Sequence, residues 1–177
     1  MTPGPSRLGY APPVEGCVAC DLTSGRLSLP GGLIHRSGGW VVEHCVGPLG
    51  VGTLILKPER HVTALADLTS GEASQLGPLL HLTAQVAGQL VEAEQVYACL
   101  WSHAEGVRGH IHFVVQPVTR DQLEQHGTHG PMLQVAMFTK GDSPDPTAVE
   151  DAAGRARQLF AALTPAAQRI RTPVSPG

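Results

Sequence analysis

The stretch Gly109-His110-Ile111-His112-Phe113-Val114-Val115-Gln116-Pro117 is dense in β-branched and aromatic residues and reads as a strand around which the rest of the chain must be arranged. Alternate side chains of a strand point to opposite faces, so His110, His112, Val114 and Gln116 share one face while Ile111, Phe113 and Val115 share the other. The second face is expected to be core and the first to carry chemistry. Two imidazoles on alternate residues lie roughly 7 Å apart, too far to compete for one ion but near enough to divide a task. By itself a His-x-His pair also suits a plain polar surface, and the remainder of the chain has to decide.

With 177 residues the chain can bury a real core, and one domain with loose ends is the natural expectation. Charged residues make up 15% and the formal net charge is −3, which argues against polymeric nucleic acid as a partner, because duplex binding needs clustered Lys and Arg. No apolar run approaches the roughly 20 residues needed to span a bilayer, so no membrane partner is expected. The start, Met1-Thr2-Pro3-Gly4-Pro5, lacks the pattern of an export signal, and a cytoplasmic location is expected. In that compartment four cysteines read as ligands or buried thiols rather than disulfides.

Residues 1–15 are rich in Pro and Gly and are expected to form a mobile tail. Asp21 to Gly32 reads as turns or one short helix. Leu33 to His35 and Trp40 to Cys45 flank Arg36-Ser37-Gly38-Gly39 as a hairpin, and Thr53 to Lys57 forms a further strand that delivers Pro58-Glu59-Arg60-His61. Thr69 and Glu72 form a capping box ahead of a long amphipathic helix with Leu76, Leu79, Leu80, Thr83, Val86 and Leu90 on one side. Gln95 to Trp101 is the next strand, and Ser102 to Gly109 a polar loop leading into the histidine strand. Beyond Pro117, Thr119 to Gly130 reads as irregular and Met132 to Phe138 as a strand. Asp145-Pro146 caps a last helix with Val149, Ala152, Ala153, Ala156, Phe160 and Leu163 on one side. Residues 164–177 are expected to be loose.

Cys17 and Cys20 have the spacing of a redox pair, but such a pair usually opens a helix after a strand, and this one follows a tail-like segment. A metal site suits it better, since zinc takes four N or S ligands and two cysteines supply half of a Cys2His2 set. Nine histidines are present, and spacing does not choose among His35, His44, His61, His103 and His110.

Taken together, Cys17-Val18-Ala19-Cys20, the segment Gly52-Thr53-Leu54-Ile55-Leu56-Lys57-Pro58-Glu59-Arg60-His61, the capped helix, the strand and His110-Ile111-His112-Phe113-Val114-Val115-Gln116-Pro117 resemble the histidine triad superfamily. These are small nucleotidyl hydrolases and transferases related to hexose-phosphate uridylyltransferases. The resemblance covers about Gly16 to Pro117. It implies an α+β fold with a twisted, mainly antiparallel sheet and a long helix packed on it, here with an additional C-terminal helix. The domain would span residues 16–163, with a C-terminal extension from about 118. It also implies a homodimer, a structural zinc on Cys17, Cys20, His61 and His110, and His112 as a nucleophile acting at the α-phosphate of a nucleotide or nucleotide conjugate.

The sequence departs from the family pattern at three positions. The third triad position is Val114, which donates no proton. Thr53 stands where the family's strand usually carries a further histidine, and Cys45 where an aspartate commonly holds the ribose hydroxyls, although Glu43 on the same strand face could serve. Ser102, His103, Arg108 and Gln116 are the candidate substrate-binding residues, since the first three precede the histidine strand and Gln116 shares its histidine face. The favoured function is nucleotide hydrolysis or nucleotidyl transfer through a phospho-histidine on His112. The alternatives are a zinc-stabilised nucleotide-binding or interaction module that has lost catalysis and, a weaker third, a redox protein using Cys17 and Cys20.

Overall fold

Five strands carry the architecture: β1 (Leu33–Ser37), β2 (Trp40–His44), β3 (Leu54–Pro58), β4 (Ala93–Ala104) and β5 (Val107–Thr119). The structure is a computed structural model describing the backbone of residues 14–104 and 107–169 and the side chains of residues 14–102 and 109–164. The strands form one sheet in the order β1-β2-β3-β5-β4, with every neighbouring pair antiparallel. The histidine strand β5 is thus internal, between β3 and β4, which fixes its side chains on both faces. The expected α+β fold is present.

Ahead of the sheet lies α1 (Val18–Ser24), which realises the short helix expected near Asp21, although it begins within the Cys17-x-x-Cys20 pair. The long helix α2 (Ser70–Leu90) is capped as the sequence implies: Thr69 Oγ1 accepts from the Glu72 N–H, and Glu72 reaches back to the Thr69 N–H at 2.8 Å. Glu72 also accepts from Arg60, and its own carbonyl accepts from Trp40 Nε1 at 2.9 Å, so one residue ties the helix start to β2 and to the segment after β3.

Arg60 and then the Thr69 N–H and hydroxyl, working against burial, hold the Glu72 carboxyl below its ordinary value. Its contribution to stability is therefore present above the free glutamate value of about 4.3 and is lost as pH falls through the lower folded value. Glu72→Ala is expected to cost about 1–2 kcal/mol at neutral pH. That difference should shrink toward acid pH in parallel urea titrations of both proteins.

Helix α5 (Pro146–Arg169) opens as expected, with Asp145 accepting from the Ala148 N–H at 3.0 Å. Its backbone runs past the boundary expected near residue 164. Ala153, Ala156 and Phe160 join Leu79, Val86 and Leu90 of α2 in a core against Trp40, Val42, Leu54, Leu56 and Val115. Gly31, at φ +76°, lets α5 approach closely, since a Cβ there would lie 2.3 Å from that of Ala153.

Three sequence expectations are corrected beyond the helix pair. The stretch after Pro117 is not irregular: α3 (Arg120–His126) starts on a second capping box, Thr119 with Gln122, and stops at Gly127. Met132 to Phe138 is not a strand but lies in α4 (Pro131–Lys140), with proline at its first turn, Gly141 at its end, and Leu133 and Met137 one helical turn apart. Its bulky apolar residues are compatible with either period, and the flanking Pro and Gly were the deciding signals. Finally, Ser102 to Gly109 is not a free loop, because β4 continues to Ala104 and β5 begins at Val107, with His103 opposite Arg108.

Helix α4 also changes what the histidine face of the sheet is. Leu133 and Met137 pack on Cys45, Leu49, Ile55, Val114 and Val118, forming a second core on the side expected to hold only chemistry. The histidine face is therefore core at the Val118 end and open at the His112 end.

Candidate functional site

Where α1 meets the open end of that face, Cys17, Cys20, His61 and His110 place one ligand atom each within 4.8 Å of one another. Cys17 and Cys20 flank the start of α1, His61 follows β3, and His110 lies on β5, so the cluster joins three parts of the chain. Cys20 Sγ lies 3.4 Å from His61 Nδ1 and 3.6 Å from His110 Nδ1, and Cys17 Sγ lies 3.9 Å from the latter. The Pro58 carbonyl lies 2.9 Å from His110 Nε2 and can only accept, so Nε2 carries the proton and Nδ1 turns its lone pair toward the sulfurs. Burial first, with His61, Lys57 and His112 adding to it, pushes His110 down to about 4, which keeps the ring a neutral ligand. Burial likewise raises the Cys20 thiol, and two sulfurs at such a site favour a soft or borderline cation between them. This donor set fits zinc in a closed tetrahedron.

His35 and His44, open as ligands in the sequence, are committed elsewhere. His35 stacks on Phe160 with ring centroids 4.5 Å apart. His44 donates through Nδ1 to the Cys45 carbonyl at 2.8 Å and accepts the Gly52 N–H on Nε2 at 2.9 Å, binding β2 to the turn before β3.

Beside the metal cluster opens a cavity of about 550 Å³ with His112 in its wall. His112 Nδ1 lies 3.2 Å from the His110 carbonyl, which must accept, so Nε2 is left with its lone pair. Burial lowers the affinity of this imidazole for a proton, partly offset by that bond, with the Lys57 charge adding to the lowering. A neutral ring with one fixed N–H and one free lone pair is the state required of a nitrogen nucleophile.

The remaining walls are mostly apolar. Trp101 lies against His112, with ring centroids 6.2 Å apart, and against Phe138 of α4 at 5.0 Å. Val14, Val18 and Leu22 come from the N-terminal segment and α1, and Val46, Leu49 and Ile55 from β3 and the turn before it. Three charged residues interrupt this lining, Glu15 from the N-terminal segment and the pair Glu43 and Lys57 from the sheet. Lys57 and Glu43 are an ion pair with side chains 1% and 5% exposed, and Lys57 Nζ also donates to the Ala19 carbonyl of α1 at 2.8 Å. Burial pushes the Glu43 carboxyl up, and Lys57 pulls it back.

Of the other candidate residues, Ser102 is half-buried on β4 and does not line the cavity. The side chains of His103 and Arg108 lie outside the described residues. Gln116 is not a cavity wall: fully buried, its amide donates to the Leu49 carbonyl at 3.1 Å and accepts from Gln134 of α4 at 3.1 Å. Cys45 keeps a buried thiol that accepts the Gly47 N–H and is pushed up to about 11 by burial. Sequence reasoning missed Trp101, Phe138 and Lys57. The strand register could have pointed to two of them, since Trp101 pairs directly with His112, and Lys57 falls in the next row to the Ile55–Val114 pair.

Val114 is 1% exposed and packed against Ile55, Leu133 and Met137. Val114→His would restore the usual triad residue in sequence, but here it inserts a larger polar ring into a filled space. It is expected to lower stability by about 2–5 kcal/mol, through overpacking and an unmet hydrogen bond. An unchanged urea midpoint would show instead that α4 yields to make room.

No protein-family model matches the sequence, and no curated protein matches it. Solved structures do match. A Zn-bound histidine triad family protein from Mycobacterium smegmatis aligns over 85% of this chain and 97% of its own, with 18% identity and a TM-score of 0.61. A hypothetical histidine triad nucleotide-binding protein from Sulfolobus tokodaii strain7 aligns over 84% of this chain and 94% of its own, with 13% identity and a TM-score of 0.63. A uridylyltransferase structure aligns over 82% of this chain but 45% of its own, with 17% identity and a TM-score of 0.55. From this sheet order, the helix laid across it and these matches, the chain has the fold of the histidine triad superfamily.

Proposed function

We propose that this protein is a nucleotide hydrolase or nucleotidyl transferase that acts at the α-phosphate of a nucleotide conjugate through a phospho-histidine on His112. The observation that carries the reading is the His112 ring itself: Nδ1 is committed to the His110 carbonyl, and Nε2, with no hydrogen-bond partner among the described residues, stands in the wall of a cavity large enough for a nucleotide. The Nε2 lone pair attacks phosphorus, the bond to the leaving group breaks, and the leaving group departs with the electron pair. Water or a second acceptor then displaces the histidine and restores the free ring.

Zinc, bound by Cys17, Cys20, His61 and His110, would supply structural cross-linking rather than an activated water, because four protein ligands fill its tetrahedron. The chain would act as a homodimer, a state compatible with the outer edge of β4, which has no strand partner among the described residues. No described helix is long and apolar enough to cross a membrane.

The buried Val114 supports a further feature of this reading. With no proton donor at that position, expulsion of a basic leaving group is slow, and conjugates with acidic leaving groups, such as phosphate or sulfate anhydrides, are the better substrates. The test is incubation with labelled conjugates of one nucleotide that differ only in leaving-group basicity, followed by mass spectrometry of the His112 peptide. Label on His112, with rates about a hundredfold or more apart between the acidic and basic ends of the series, is expected. Absence of label from every conjugate would favour the second reading, a zinc-stabilised nucleotide-binding module without catalysis, which the same burial of Val114 also supports.

A further inference from the structure

We propose that Glu43, held in place by Lys57, is a specificity-determining residue that accepts a hydrogen bond from an O–H or N–H donor on the nucleoside part of the ligand. This deepens the reading of the cavity as a nucleotide site and rests on it.

The two oxygens of Glu43 have different surroundings. Oε1 accepts from Lys57, whereas Oε2 has no hydrogen-bond partner among the described residues. Among those residues the one fully sealed side-chain nitrogen or oxygen without a partner is His126 Nδ1, so Oε2 retains access to the cavity that Glu43 lines. Around it the wall is apolar, with Val46, Leu49 and Ile55. A carboxylate oxygen covered by a ligand without a donor there would lose water and gain nothing, which is a strong basis for rejection.

Position decides which part of the ligand meets it. Glu43 pairs with Ile55, and Ile55 with Val114, so the three share a face and Glu43 lies two strands away from β5. Two strand spacings are roughly 10 Å, a span that a nucleoside bridges and a bare phosphate does not. Lys57 makes the acceptor directional. Bonded also to the Ala19 carbonyl, its ammonium is fixed from two sides and holds one carboxylate oxygen away from the ligand while leaving the other toward it.

The same lock gives the test. In Glu43→Gln, Lys57 retains the amide oxygen and turns the NH2 into the cavity, so a donor faces a donor. The full chain with its metal is titrated calorimetrically with adenosine 5′-monophosphate, with its 2′-deoxy and 3′-deoxy analogues, and with the purine riboside monophosphate that lacks the amino group. The wild type should bind the parent at least about tenfold more tightly than the analogue that lacks the donor, and which analogue that is separates a sugar hydroxyl from a base amino group. Glu43→Gln should weaken the parent about tenfold to a hundredfold and leave that analogue within about twofold.

Because the single substitution leaves Lys57 without its counter-charge, Glu43→Leu with Lys57→Met provides an apolar pair with neither an unpaired charge nor an acceptor, and there the preference should also be lost. Equal weakening of all four probes, no preference among them in the wild type, or no binding of any would overturn the proposal. Loss of His112 labelling with the preference intact would sink the catalytic reading alone. Labelling without the preference would sink this one alone.

Discussion

His112→Ala is expected to abolish covalent labelling by nucleotide conjugates and to lower turnover by more than about a thousandfold, since it removes the atom that forms the intermediate. Metal content and the urea midpoint should stay close to wild type. Among the described residues the ring makes one hydrogen bond, to the His110 carbonyl, and its neighbour Trp101 also packs on Phe138, so little support is lost with it. His110, two residues earlier on the same strand face, should behave in the opposite way, because its Nδ1 belongs to the metal cluster and its Nε2 to Pro58. Residual turnover in His112→Ala of more than a few per cent would mean that another group attacks phosphorus, and His61 would be the first to test.

The second large effect is expected at Cys20. It is buried at the junction of the cluster, within 3.6 Å of both histidine ligands, and Cys20→Ala leaves three ligands around any bound ion. Metal binding and local order are coupled, so the expected result is loss of stoichiometric zinc and release of the segment from Val14 to Ser24. Elemental analysis would report the first. Cys17 would report the second, as its thiol should react at the rate of an exposed cysteine. None of the four cluster residues belongs to the α2–α5 core and only His110 lies on a strand, so the far-ultraviolet circular dichroism should change only by what α1 contributes.

Much of this arrangement is legible in the sequence. Periodicity identified α2 and α5, because their apolar positions repeat at helical spacing over many turns and both begin on a recognisable cap. Alternation in β5 placed His110 and His112 on one face. The identity of the metal ligands, by contrast, was not in the spacing of nine histidines; it came from resemblance to a family, and the structure brings the same four residues together.

What the sequence hid has a common cause. Helix α4 is short, and its apolar residues fit two periods, so it read as a strand. Once α4 was misread, Gln116 looked like a free polar group on a chemical face, when it is a buried bracket between the Leu49 carbonyl and Gln134. The Lys57–Glu43 pair was hidden for a different reason. A lysine in an apolar strand reads as solvent-facing, and only the sheet order shows that its strand is enclosed on both sides.

The segment that closes the metal cluster is also a wall of the cavity, contributing Val14, Val18 and Leu22, and Lys57 ties it by a second contact at Ala19. Occupancy of the two sites is then thermodynamically reciprocal. Whatever factor a bound cation adds to the affinity for a ligand, the ligand returns to the cation. A dissociation constant measured in a chelating buffer would describe a different molecule from one measured with metal in excess, and ligand at saturation should slow the escape of the ion.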